Sequence, residues 1–163
     1  MLKQIYFFSA MSNDLPRYDA PFIARLLLPK AVARAFETQD RALATVGLTA
    51  RQALILMSCD LEEANTMAEL ASLYGLEASS ITRLVDRLEK KRLIERTRSR
   101  SDRRKTILSL TPVGKAALRR AVRIASPIAV AMWKGVSKDE RKALAAIITR
   151  VLNNLEQMGP ATK

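Results

Sequence analysis

The 163-residue chain contains no histidine and a single cysteine, Cys59. Without histidine there is no imidazole acid–base chemistry and no His-ligated metal. One cysteine excludes an intrachain disulfide and any multi-Cys zinc site, and a reducing cytoplasm is the natural compartment. Aromatics are few, with three Tyr, four Phe and one Trp, and none lies between Arg83 and Lys105. That stretch therefore lacks the stacking platforms that single-stranded RNA binding needs. A Gly-rich phosphate loop, a nucleophile elbow and a metal cluster are all missing, which argues against an enzyme and against a cofactor. No apolar run approaches the ~20 residues of a membrane helix. The apolar patch Ile5 to Phe8 is shorter than a signal-peptide core of roughly 7–15 residues. Both Met1 and Met11 stay open as translation starts. Acidic residues are also scarce, 16 against 28 Lys and Arg, for a net charge of +12 and a pI of about 10.4. A charge this basic fits a nucleic-acid partner, but membranes and acidic proteins attract it too.

The distribution of that charge says more than its total. From Arg83 to Lys105 eleven basic residues face four acidic ones, so this window holds over half of the surplus. It lies inside Thr66 to Leu110, the stretch around which the chain is organised. Thr66 and Glu69 form a capping box that opens a short helix ending before Gly75. A second helix runs from about Ala78 to Lys91, with Ile81, Leu84, Val85 and Leu88 facing inward at helical spacing. Its other side carries Ser79, Ser80, Thr82, Arg83 and Arg87. Short hydroxyls allow close approach to phosphates and base edges, and Arg can bind guanine with two hydrogen bonds. A hairpin follows, with arms Leu93 to Arg98 and Lys105 to Leu110 around a tip of Ser, Arg and Asp that includes Asp102, Arg103 and Arg104. Helix, tight turn, helix and basic hairpin is the layout of a winged helix-turn-helix. In that layout the second helix enters the major groove and a cationic wing reaches the backbone or the minor groove of double-stranded DNA.

The flanks are helical and apolar. Asp19 and Pro21 start a helix that runs to about Thr45, with Pro29 expected to kink or split it, and Gly47 closes the segment. Thr49 and Gln52 form another capping box, opening a helix to about Asp60. Beyond the hairpin, Thr111 and Pro112 start a helix expected to reach Lys134 and to bend at Pro127. Ser137 and Glu140 open the last helix, whose stripe includes Leu144, Ile147, Val151, Leu152 and Leu155. The expected organisation is an N-terminal arm (1–18), a dimerisation helix (19–46), a winged lobe (47–110) and C-terminal dimerisation helices (111–163). Terminal helices this apolar are best paired across a two-fold axis in a homodimer. The fold class is mainly α with a small β-wing.

The run from Ile81 to Lys91, then Leu93-Ile94-Glu95-Arg96, Ser101-Asp102-Arg103-Arg104-Lys105 and Leu110-Thr111-Pro112-Val113-Gly114, resembles the MarR family of bacterial transcription regulators. The resemblance implies a homodimer built from the N- and C-terminal helices. It also implies repression relieved by a small anionic aromatic effector or by cysteine oxidation. It places Ser79, Ser80, Thr82, Arg83 and Arg87 on the reading helix, and Asp102 and Arg104 at the wing tip, with Asp102 orienting a wing arginine such as Arg98. Two departures stand out. Arg92 takes the place of a glycine after the reading helix, and a residue there can be forced into a left-handed conformation. Glu77 takes the place of a Ser, Thr or Asp cap.

A regulator of this kind needs a switch. One candidate is an effector pocket between the dimer helices and the winged lobe, with Phe22, Arg25 and Met57 as lining residues and Arg25 pairing a carboxylate. The other is Cys59 as a redox sensor, although it follows a buried run with no base beside it, which favours a structural thiol. A winged helix serving as a protein-interaction module is a further alternative, against which the Arg-rich tip argues.

Overall fold

The structure is a computed structural model and describes residues 26–62, 64–99, 102 and 105–158. The N-terminal arm and the helix start at Asp19 and Pro21 lie outside the described residues. Two residues of π geometry, Leu26 and Leu27, lead into α1 (Leu28–Leu43). Pro29 sits in the first turn of α1, where its missing N–H costs nothing. After a 3-10 turn at Ala44–Val46, Gly47 takes φ 68°. The Gly47 N–H donates to Ala44 O (3.0 Å) and the Leu48 N–H to Leu43 O (3.2 Å), the paired bonds of a Schellman terminus.

Helix α2 (Ala50–Asp60) starts on the Thr49–Gln52 capping box, with both reciprocal bonds formed. Asp40 of α1 adds a second cap, its Oδ1 accepting from the Ala50 N–H at 2.6 Å. Helix α3 (Met67–Tyr74) starts on the Thr66–Glu69 box and ends at Gly75 (φ 58°) with a second Schellman terminus, Leu76 N–H to Ala71 O (3.1 Å) and Gly75 N–H to Ser72 O (3.3 Å). Helix α4 (Ala78–Lys90) has no side-chain cap from Glu77. It ends on the same bond pattern, Arg92 N–H to Glu89 O (2.7 Å) and Leu93 N–H to Leu88 O (3.0 Å), with Arg92 itself at φ 57°. An arginine thus stands where the chain's two similar termini have glycine.

The hairpin consists of β1 (Ile94–Arg98) and β2 (Thr106–Leu110), antiparallel, with Ile94 opposite Leu110 and Arg98 opposite Thr106. Each strand starts one residue later than the sequence pattern suggests. The Leu108 N–H donates to Asn65 O (2.7 Å), tying β2 to the loop before α3. Thr111 then does two jobs. Its Oγ1 accepts from the Gly114 N–H (3.0 Å), capping α5 (Pro112–Met132), and donates to Arg92 O (2.6 Å). Gly114 is required for this packing, because a Cβ there would lie 1.9 Å from the Leu93 carbonyl oxygen. Helix α5 stops at Met132 rather than Lys134, in a turn where Gly135 takes φ 82°, and Pro127 is accommodated inside the helix. The Ser137–Glu140 box opens α6 (Lys138–Gln157).

The core gathers Leu43, Ile55, Leu56, Leu70, Ile81, Val85, Leu88, Ile94 and Leu108, each at most 2% exposed. Burying a side chain of this size stabilises by about 1.5–3 kcal/mol. Every one of them lies in or beside the winged unit. Two compact units divide the chain, Met1–Ile128 and Ala129–Lys163. In the second unit no described residue of α6 is buried, and Leu144, Ile147, Val151, Leu152 and Leu155 are 39–57% exposed. No single described helix is long and apolar enough to cross a membrane.

Candidate nucleic-acid interface

Helix α4 is sharply two-sided. Ile81, Val85 and Leu88 are completely buried, whereas Ser79, Thr82, Arg83 and Arg87 are exposed and Ser80 is half-buried. Burial of one face holds the polar face outward. Leu84 departs from the inward pattern and is only half-buried. The Thr82 hydroxyl donates back to Ala78 O (2.8 Å), so it presents an acceptor rather than a donor outward.

In the hairpin, Arg98 and Lys105 are exposed and Asp102 is half-buried. The tip is closed by Ser99 N–H to Lys105 O (2.9 Å), Lys105 N–H to Asp102 O (2.9 Å) and Asp102 N–H to Ser99 Oγ (3.2 Å). Arg103 and Arg104 lie outside the described residues. The side chain that joins helix to hairpin is Arg96, which in sequence counts only as one basic residue among eleven. Its guanidinium reaches Asp86 Oδ1 (2.5 Å) and Glu89 Oε2 (3.2 Å) on α4. The spacing of Asp86 and Glu89, three apart on one helix flank, was the available signal, but only the strand register brings Arg96 opposite them.

The back of α4 is fixed as well. Lys91 Nζ donates to Gly47 O (2.5 Å) and lies 3.4 Å from Gln52 Oε1, fastening α4 to the turn between α1 and α2. Tyr74 fastens α3 to α2, its hydroxyl donating to Leu54 O (3.0 Å) and pairing with Ser58 Oγ (2.6 Å).

Beneath this frame lies a cavity of about 180 Å³ lined by Val32, Phe36, Arg51, Leu54, Ile55, Tyr74, Leu76 and Leu84. The Arg51 guanidinium sits 5.1 Å from the centre of the Phe36 ring. Of the pocket residues expected from sequence, Phe22 and Arg25 lie outside the described residues. Met57, 36% exposed, is not on this lining. The cation at the cavity is Arg51, six residues earlier on the same helix as Met57. Cys59 is 7% exposed, and burial pushes its thiol up to about 11. A sensor thiol needs the reverse, a lowered pKa and access, so burial and the raised pKa weigh against the redox alternative and toward a structural thiol. Among the described residues no group of His, Cys, Asp and Glu is arranged to hold a metal ion.

A short helix, a turn, a half-exposed second helix and an antiparallel hairpin define a winged helix-turn-helix protein, the class of many transcription regulators. Comparison with known proteins narrows the class. The model of the MarR family matches residues 48–106. The transcriptional repressor MprA of Escherichia coli (strain K12) is 27% identical over 158 residues, 96% of this chain and 89% of MprA. The HTH-type transcriptional regulator YdcH of Bacillus subtilis (strain 168) is 34% identical over 104 residues, 61% of this chain and 71% of YdcH. Among solved structures, the transcriptional repressor CouR bound to a 23-mer DNA duplex is 31% identical, with a TM-score of 0.67, covering 80% of this chain and 95% of that one. The chain belongs to the MarR family, whose members are transcription regulators and not enzymes.

Proposed function

We propose that the protein is a dimeric, effector-responsive repressor that binds a pseudo-palindromic operator. Helix α4 enters the major groove through Ser79, Ser80, Thr82, Arg83 and Arg87. The wing, with Arg98, Arg103, Arg104 and Lys105, follows the backbone into the minor groove, and Asp102 orients Arg98. The observation that carries this reading is the two-sidedness of α4, with Ile81, Val85 and Leu88 buried on one face and hydroxyls and guanidiniums on the other, beside a basic hairpin. The repressor mode is supported by MprA and CouR, both named as transcriptional repressors, the latter on a DNA duplex. Such a role places the protein in the cytoplasm, with the genome.

Dimerisation is supported by the apolar stripe of α6, which the chain itself leaves exposed and a second copy would cover. With a two-fold axis, half-sites about one DNA turn apart, ~10 bp, follow. The effector site is the cavity at Phe36, Arg51 and Leu84. Its volume accommodates a single ring, as does the ~150 Å³ apolar cavity known to hold benzene. Arg51 supplies the charge to pair an acidic substituent, which makes a small aromatic acid the fitting ligand. Leu84 belongs to α4, so an occupant acts directly on the reading helix.

The test is binding of the purified protein to its own upstream intergenic DNA against a scrambled duplex over a salt series. Selective binding that weakens steeply with salt supports the reading. Arg83→Ala should then relax base preference at one position per half-site, by roughly 1–3 kcal/mol. Equal, weak binding to both duplexes would reduce the interaction to the generic pull of a +12 protein.

A further inference from the structure

A two-stranded hairpin is marginal by itself, so its direction depends on what holds it. The base of this one is held by backbone contacts, Leu93 N–H to Leu88 O and Thr111 N–H to Leu93 O, and β2 is tied to the loop before α3 by Leu108 N–H to Asn65 O. Further along β1, Arg96 makes the only ion pairs between hairpin and helix among the described residues. At about 3.4 Å per strand residue, Arg98 stands ~7 Å beyond it toward the tip. Angular slack at Arg96 therefore grows into a displacement of the tip. Arg96 also occupies two carboxylates that sit among the reading cations. Asp86 is three residues from Arg83 and four from Lys90, spacings at which helix side chains pair.

We propose that Arg96 is a positioning residue for DNA binding that makes no DNA contact. Its planar guanidinium spans Asp86 and Glu89, holds the wing at a fixed angle to α4, and keeps Asp86 from capturing Arg83. The major-groove and minor-groove contacts of one subunit are thereby kept in step. This inference rests on the reading of α4 and the wing as the DNA interface.

The experiment measures operator affinity over a salt series for the full-length protein and for Arg96→Ala, Arg96→Lys and Arg83→Ala, with hydroxyl-radical footprints of each complex. Arg96→Ala should weaken binding roughly tenfold, within the range of contacting pairs. The salt slope should stay unchanged, because two carboxylates already neutralise this cation. Minor-groove protection by the wing should fade while protection under α4 remains. Arg96→Lys should recover only part, since an ammonium is a point charge and cannot bridge two carboxylates as a planar fork does. Thermal unfolding should move little, as half-exposed ion pairs hold little stability. If Arg96→Ala fails to fold, Arg96→Lys carries the test. Unchanged affinity, full recovery by lysine, or a slope shallower by about 0.9 per arginine removed would overturn the proposal, the last by making Arg96 a phosphate contact. Arg83→Ala separates the two failures. If it too leaves affinity and specificity intact, the interface reading falls; if it alone weakens binding, only the role of Arg96 does.

Discussion

Replacing Arg92 with glycine should stabilise the protein, although it deletes a side chain and adds backbone freedom. Arg92 stands at φ 57° and completes the terminus of α4 with bonds to Glu89 O and Leu88 O. A residue with a Cβ loses about 1–2 kcal/mol in that left-handed conformation. Glycine removes the strain but gives the unfolded chain more freedom, at about 0.5–1 kcal/mol. The balance is a gain of about 0.5–1 kcal/mol, or about 1–4 °C in Tm for a chain of this size. The chain supplies its own reference, because Gly75 ends α3 at φ 58° with the same bond pattern and open space around its missing Cβ. Gly75→Ala should therefore lose about 1 kcal/mol through backbone conformation alone. Arg92→Ala, which keeps the strain and drops the side chain, should not gain stability. Thermal unfolding by circular dichroism, at one protein concentration so that association is held constant, measures all three. If Arg92→Gly leaves Tm level or lower while Gly75→Ala destabilises, the strain argument is wrong and the Arg92 side chain carries the site.

Gly114→Ala puts a methyl group on the Leu93 carbonyl and should cost about 1–3 kcal/mol in urea unfolding, or more if the start of α5 detaches. Tyr74→Phe removes the partner of Ser58, which is 1% exposed, and should cost about 1–3 kcal/mol in the same assay. The Asn65 and Thr66 groups that bond Glu69 hold its carboxyl below the usual range, so protonation favours the unfolded chain. Its contribution is complete above the unfolded pKa of about 4.3 and fades as pH falls through the lower folded value. Stability measured from pH 5 to 3 should fall less steeply in Glu69→Gln, and parallel curves would refute the linkage. With its pKa near 11, Cys59 has on the order of one thiolate in ten thousand at pH 7. A thiol reagent should react slowly with the folded protein and quickly in urea, and peroxide should leave operator affinity unchanged; fast folded-state reaction would revive redox control.

Local signals were readable in the sequence where the physics is local. Thr49–Gln52, Thr66–Glu69 and Ser137–Glu140 each form both bonds of a capping box, because the three-residue spacing is itself the geometry. The Arg92 departure announced its positive φ for the same reason. What stayed hidden depends on distant elements meeting. Arg96 acquires its meaning only once β1 crosses α4 at Asp86 and Glu89. Leu84 has the periodicity of a core residue, yet it borders a cavity whose other walls come from α1, α2, α3 and the turn after α3. No helical spacing distinguishes Arg51 from any other exposed arginine until Phe36 lies beside it.

The two ends of α4 are held very unequally. Its rear is bound by the Lys91 clip to Gly47, by the Arg92 and Leu93 amides and, through Arg92 O, by Thr111, whereas Glu77 at its front offers no side-chain bond. A helix anchored this way should open first at its front. The front turn carries Ser79 and Ser80, while Arg87 lies near the anchored end. Amide exchange along α4 should run fast to slow from Ser79 to Leu93, a gradient opposite to that of a helix frayed at its C-terminus. Of the side chains proposed to read DNA, Ser79 and Ser80 thus stand at the less fastened end of α4 and Arg87 near the fastened one.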